Sequence, residues 1–348
     1  MRIVAVTSMK NEGAFLLEWL AHHKGVGFTD FLVFSNDCTD GTDAMLDRLD
    51  AMGELTHLPN PGPYHESGVQ WTAFKRADRH ELVRSADWLM TLDVDEFVNI
   101  HAGDHTVYAL FDALPEADAI PLTWRLFGNA GVVRFQDRPI TETFTRAAPA
   151  KLNWPWRAAM FKTLWRNNGA YKKLGVHRPR APVADKADRT RWFDGSGRAL
   201  PSQYRRDRIF SPFGQDNYQI AQLNHYALGA MESFVVKRDR GRVNRESPPI
   251  GLDYWTERNW CQAQDTSIRA AAPLAAPHLA RYHADPELAR LHAEAVAWRK
   301  ARFQALMAED EYRALFGRLL MAPPAREIPP QLVQELIGYA RKAHAAKQ

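Results

Sequence analysis

Trp88-Leu89-Met90-Thr91-Leu92-Asp93-Val94-Asp95-Glu96-Phe97 reads as an apolar strand that runs into acid. Where a strand frays into extended chain, residues i and i+2 point to the same side, so Asp93 and Asp95 can address one hard cation. Mg²⁺ and Mn²⁺ accept such oxygen ligands and keep positions open for substrate phosphates. A D-x-D triplet alone is a weak signal, and a solvated acidic turn is the plain alternative. This one is the chain's only D-x-D, and it stands directly behind an apolar strand.

Outward from that strand, the first hundred residues alternate strand-like and helix-like patterns, as βαβ units do. Ile3-Val4-Ala5-Val6 is rich in β formers, and from Glu12 onward Phe15, Leu16, Trp19 and Leu20 recur at helical spacing before Gly25 and Gly27 end the run. A second strand at Phe31-Leu32-Val33-Phe34 leads into the polar turn Ser35 to Gly41. A helix then carries Ala44, Met45, Leu46 and Leu49. Leu55 to Leu58 is a short third strand, and the pattern predicts one helix over Val69 to Ser85. Open α/β sheets bind ligands beyond the carboxyl ends of their strands, so three loops are expected to converge: Thr7 to Glu12, Ser35 to Asp40, and Asp93 to Glu96.

The alternation weakens after about residue 120, where short aromatic segments such as Trp124-Arg125-Leu126-Phe127-Gly128 suggest a mixed or antiparallel extension. Residues 178–208 are polar and Arg-rich and read as a flexible surface loop. Glu232 to Arg242 reads as helix, and terminal helices follow, broken by Pro323, Pro324, Pro329 and Pro330. The expected organisation is an α/β core over 1–120, an acceptor and metal-site portion over 121–245 and a helical region over 246–348.

With 348 residues, 45% hydrophobic and 25% charged, the chain is neither fibrous nor disordered. A net charge of +4 is too small to call for nucleic acid but suits a local phosphate site. Two cysteines exclude a disulfide framework. The apolar stretch at the start is shorter than a secretory core, and no run reaches the length of a membrane span. A cytoplasmic protein is expected, with any membrane contact peripheral, at the inner surface.

Val6-Thr7-Ser8-Met9-Lys10-Asn11-Glu12, the Glu18-Trp19 pair, Ser35 to Thr42 and Trp88 to Phe97 together resemble a family 2-type glycosyltransferase across about the first hundred residues. Asn224-His225-Tyr226-Ala227-Leu228, followed by Glu232-Ser233-Phe234, Lys237 and Arg240-Gly241, resembles the later motif of a bacterial branch with an Asp-x-Asp-Glu-Phe signature. The resemblance implies a GT-A-like, Rossmann-like α/β fold. It implies transfer of a sugar, of hexosyl type, from a nucleoside-diphosphate-sugar to an acceptor hydroxyl, in surface polysaccharide or glycolipid synthesis. The donor is expected to be a UDP-sugar, the acceptor a glycan or glycolipid, and the cofactor Mn²⁺ or Mg²⁺.

Carried over by position, Asp93 faces the ribose or the metal and Asp95 is the direct ligand. His225 completes the metal shell, with His177 as the alternative. Thr7, Glu12, Asn36 and Asp37 hold the nucleoside, although Asn36 and Asp37 equally suit a turn and helix cap. Lys237 and Arg240 meet the diphosphate, or are the ordinary basic end of a helix. Trp124, Trp165 and Trp154-Pro155-Trp156 offer a sugar-stacking platform or core packing. The catalytic base is not identified: no Glu-Asp pair stands where the family places one, and Asp137, Glu142 and Asp216 are the candidates by position only. Two other readings remain, a sugar nucleotidyltransferase, disfavoured by the single glycine in Ser8 to Gly13, and a non-catalytic carbohydrate-binding protein on a degenerate transferase fold.

Overall fold

The computed structural model describes residues 1–64, 68–241 and 250–345. Eight strands form one sheet: β1 (Ile3–Met9), β2 (Asp30–Ser35), β3 (Thr56–Pro59), β4 (Trp88–Thr91), β5 (Glu96–Ile100), β6 (Ala119–Leu126), β7 (Phe161–Arg166) and β8 (Ala221–His225), in the order β3-β2-β1-β4-β7-β6-β8-β5. β1 is buried at every position, as a strand covered on both faces must be. β1 to β4 are mutually parallel, joined by crossovers that contain α1 (Gly13–Gly25), α2 (Thr42–Ala51) and α3 (Val69–Ala77). β7 then runs antiparallel to both β4 and β6, β8 is parallel to β6, and β5 closes the edge antiparallel to β8. The result is the α/β, GT-A-like sheet with a mixed extension that the sequence predicts.

Three expectations change. The helix over 69–85 breaks after Ala77, where the Asp78 carboxylate accepts the Leu174 amide (2.8 Å) and the His80 ring accepts the Leu82 amide (3.3 Å) to start a separate turn at Glu81–Arg84. The flexible loop expected over 178–208 is folded. Arg180–Pro182 pairs with Tyr171–Lys173, Ala184–Asp188 is helical, and Trp192 and Asp194 are buried. Its polar residues serve the segment itself: Asp194 accepts the Ser196 and Arg198 amides and the Arg198 guanidinium.

The boundary at 120 falls inside β6, and strands from either side of it interleave. β5 lies beyond β8 because its backbone needs a hydrogen-bonding neighbour, which the later chain provides. The boundary at 245 lies outside the described residues. The longer helices that follow among the described residues are α4 (Val107–Ala113), α5 (Met231–Arg240), α6 (Leu252–Arg258), α7 (Ala272–Ala284), α8 (Pro286–Leu306), α9 (Asp310–Met321) and α10 (Pro330–Ala345), with a short one at Ile140–Thr143. α7 and α8 fold back on α1. The Asp285 that caps α8 also takes Arg48 of α2. No helix among the described residues is long and apolar enough to cross a membrane.

Candidate active site

The parallel strands end, and antiparallel β7 begins, along one edge of the sheet. A cleft of about 510 Å³ opens above it. Ser8, Lys10 and Glu12 reach it from the end of β1, Asp93 and Asp95 from behind β4, His225 from β8, and Lys237 and Arg240 from α5.

Every carboxylate of the acidic turn has a cation beside it, and two of them share one. Lys162, the second residue of β7, is fully buried and sits 3.0 Å from Asp93 Oδ2 and 3.2 Å from Glu96 Oε2. Burial works against its charge, and the two carboxylates hold the ammonium charged, pushing it up to about 12. Glu96 is sealed in, accepts the Trp124 indole N–H at 2.7 Å, and is held above the carboxylate range by that burial, with Lys162 pulling the other way. Asp95 Oδ2 accepts Lys237 Nζ at 2.6 Å and stands 3.8 Å from His225 Nε2. Burial would raise the Asp95 carboxyl, but Lys237 and His225 hold it well below the usual range. Asp93 and Asp95 therefore do not close on a single point in this structure.

Lys237 also donates to the Ala227 carbonyl at 2.7 Å. An ammonium carries three donors, so one is left for the cleft. Arg240 binds the Lys10 carbonyl (2.8 Å) and pairs with Glu12, which ties α5 to the loop after β1. On the far wall the Arg258 guanidinium stacks 3.7 Å from the Tyr254 ring.

Asp95 and His225 could hold a divalent cation, one oxygen and one nitrogen side by side, with Lys237 already on Asp95 Oδ2, and the buried His225 Nδ1 has no partner among the described residues that fixes the ring otherwise. Among the described residues no set of three His, Cys, Asp or Glu gathers at one point. An ion here would take two protein ligands and fill its shell from phosphate and water, as Mg²⁺ commonly does. Asp93 is committed to Lys162 and to Gln70 Nε2, 3.3 Å from its other oxygen.

The other sequence candidates divide. His177 lines the cleft, with Nδ1 2.9 Å from the Phe161 carbonyl. Asn36 is buried beneath the cleft floor, donating to Ser8 Oγ (2.9 Å) and the Met9 carbonyl (2.8 Å) and accepting from Asn60 (2.7 Å), so it pins strand ends. Asp37, in the left-handed region at φ 46°, accepts the Tyr64 hydroxyl at 2.5 Å. Thr7 is fully buried, its hydroxyl unpartnered among the described residues.

None of the three base candidates lines the cleft. Asp137 pairs with His292 at 3.0 Å, Glu142 is exposed on the short helix Ile140–Thr143, and Asp216 accepts the Tyr218 amide at 3.0 Å. Trp124 and Trp165 are buried in the wall and core, and the Trp156 side chain lies outside the described residues. Sequence reasoning missed Lys162, Gln70 and Arg258. Only Lys162 left a trace, as a lone cation within Phe161-Lys162-Thr163-Leu164-Trp165.

A sheet of this order, with an acidic turn behind its fourth strand and a basic helix facing that turn, is the α/β, GT-A-like arrangement expected from the sequence. The chain belongs to glycosyltransferase family 92, whose model matches residues 3–186. The family 2 label expected from the motifs is not the family that the family model gives, and the glycosyltransferase assignment is what the two share. A family 92 protein of Oryza sativa subsp. japonica is 23% identical over 152 residues, covering 42% of this chain and 25% of that protein. One of Ricinus communis is 27% identical over 99 residues, covering 28% and 17%. The chain thus spans a quarter or less of the length of these relatives. Among solved structures, S. aureus TarS 1–349 in complex with UDP-GlcNAc is similar with a TM-score of 0.31 and 12% identity, over 90% of this chain and 84% of that one. The same protein in complex with UDP matches at 0.31 and 14%, over 48% and 47%.

Proposed function

We propose that the chain transfers a hexosyl group from a nucleoside-diphosphate-sugar, with uridine as the working base, to a hydroxyl of a glycan or glycolipid in surface polysaccharide or glycolipid synthesis. The observation that supports this most is the convergence of Asp95, His225, Lys237 and Arg240 on one cleft at the carboxyl edge of the sheet. Breaking the sugar–phosphate bond leaves negative charge on the departing diphosphate, and fixed cations in a partly enclosed site lower the cost of that charge. Lys237 would bring its remaining N–H donor to a phosphate oxygen. Arg240, held by Glu12 and the Lys10 carbonyl, adds a second fixed positive charge. Asp93 would face the ribose from the nucleoside side, beside Gln70 and Ser8. Asp95 and His225 would hold Mn²⁺ or Mg²⁺, which adds positive charge at the diphosphate.

A thermal-shift series with UDP, GDP, CDP and ADP, each with and without Mn²⁺, tests this. UDP with Mn²⁺ is expected to stabilise the chain by about 2.7 kcal/mol at a hundredfold excess over Kd. Asp95→Ala is expected to abolish the Mn²⁺-dependent part. A chain indifferent to every nucleotide overturns the proposal, and pyrophosphate release from a nucleoside triphosphate would point to nucleotidyl transfer instead.

A further inference from the structure

Transfer to a hydroxyl with inversion at the anomeric carbon requires a group that takes the hydroxyl proton. The carboxylates lining the cleft are each committed to a cation: Glu12 to Arg240, Asp93 to Lys162 and Asp95 to Lys237. His225 has Nε2 beside Asp95 and a sealed Nδ1. His177 differs. Its Nδ1 faces the Phe161 carbonyl at 2.9 Å, and a carbonyl only accepts, so Nδ1 carries the ring proton and Nε2 is left with a lone pair. Nε2 has no partner among the described residues, and it is not sealed from solvent as His225 Nδ1 is. The ring lines the cleft, edge-on to Trp124 at 5.7 Å between centroids.

The loop that carries it is fixed to the sheet. Thr91 Oγ1 donates to the Gly175 carbonyl (2.8 Å), and Thr163 Oγ1 donates to the His177 carbonyl (2.9 Å). A Cβ on Gly175 would run into the Arg178 carbonyl, so this turn needs glycine. The ring is thus held in one tautomer and one orientation, as a base working on a positioned hydroxyl requires.

We propose that His177 Nε2 is the general base of the transferase reaction, taken as inverting. This rests on the transferase reading above. The acceptor oxygen forms the new bond to the anomeric carbon as the bond from that carbon to the diphosphate oxygen breaks. The electron pair of the broken bond leaves on the nucleoside diphosphate, the hydroxyl proton passes to Nε2, and the imidazolium later gives it to water. Charged and titratable groups facing the ring are Lys162 from β7, Asp93 behind β4 and His225 at the end of β8. Burial, aided by Lys162, disfavours the imidazolium, so the ring that donates from Nδ1 to the Phe161 carbonyl keeps its lone pair on Nε2.

The test uses the full chain with Mn²⁺ and UDP-glucose, UDP-galactose or UDP-N-acetylglucosamine, reading UDP release in the presence of simple methyl glycosides. His177→Gln and His177→Asn are expected to lower kcat by about 10² to 10⁴, the range general-base catalysis supplies, while the Mn²⁺-dependent UDP shift stays as in the wild type. Free imidazole should restore part of the rate in His177→Ala, and an α-linked donor should give a β-linked product. Turnover by both variants within about threefold of wild type, a retained anomer, or loss of the Mn²⁺-dependent UDP shift in both variants overturns the assignment of the base. Absence of both UDP binding and UDP release in the wild type overturns the transferase reading, and the base with it.

Discussion

Lys162 and Lys237 each pair with a carboxylate of one turn, and their surroundings assign them different work. Lys162 is fully buried between the part-exposed Asp93 and the sealed Glu96, so Lys162→Met would leave Glu96 in the interior without its cation. Removing one partner of a buried pair costs about 3–5 kcal/mol. Lys237 lines the cleft and keeps one donor for a ligand, so Lys237→Met should chiefly weaken UDP binding, by about tenfold or more for the loss of a charge-assisted hydrogen bond. Urea midpoints and UDP titrations of both variants check this: a binding loss without a stability loss in Lys162→Met contradicts it. The sequence exposes Asp93, Asp95, His177, His225, Lys237 and Arg240, because strand ends and motifs mark them locally. Lys162 stays hidden, since its meaning depends on the β4–β7–β6 pairing that brings it level with the end of β4, and nothing near residue 162 encodes that register. Asp137, Glu142 and Asp216 were open to choice for the same reason, since no local pattern tells which loop the long-range strand pairing brings to the cleft.

Helix α1 works across the chain as well as within its own unit. Glu18 accepts the amides of Ile140 (2.7 Å) and Thr141 (3.1 Å) and the Thr141 hydroxyl (2.7 Å), capping Ile140–Thr143 from outside. Trp19 donates to the Glu96 carbonyl at 3.1 Å, so adjacent residues of one helix support the acidic turn and a wall of the small cavity beside it. The Glu18-Trp19 pair is visible in the sequence as a motif, yet its partners lie about 80 and 120 residues away, beyond the reach of helical periodicity. Burial raises the Glu18 carboxyl from 4.5 to about 7, with its hydrogen bonds acting in the opposite sense. Between those pH values the folded chain binds more protons than the unfolded one, so this group's contribution is full below pH 4.5 and is lost as pH rises through about 7. The whole loss is about 3 kcal/mol. Glu18→Gln places an amide N–H against a donor and lowers stability at low pH, but its stability should no longer fall across that window. Urea unfolding at about pH 5 and about pH 8 measures the wild-type minus variant difference, and a flat difference contradicts the assignment.

At the scale of the molecule, the change of character near residue 120 marks a change of connectivity. Before it, parallel strands are joined by helical crossovers that periodicity reveals. After it, antiparallel β7 is laid between β4 and β6, and β8, parallel to β6, is inserted beside β5 as its antiparallel neighbour, a placement that composition does not record. The charges of the candidate site divide along the same line, with carboxylates at 93, 95 and 96 and their cations at 162 and 237. A segment of residues 1–120 is within the usual size of a folding domain, so length alone would allow it to stand by itself. Its structure argues otherwise. Without β7, β4 becomes a bare edge. Without β8, β5 loses its only neighbour in the sheet among the described residues, and without β7 Glu96 would be buried with no cation or else the turn would open. The segment 1–120 is therefore expected to show no cooperative urea transition and poorly dispersed amide resonances, while the full chain gives a cooperative one. A segment that melts cooperatively would show that β1 to β4 form an independent unit, and would move the acidic turn from a product of the whole sheet to a property of its first half.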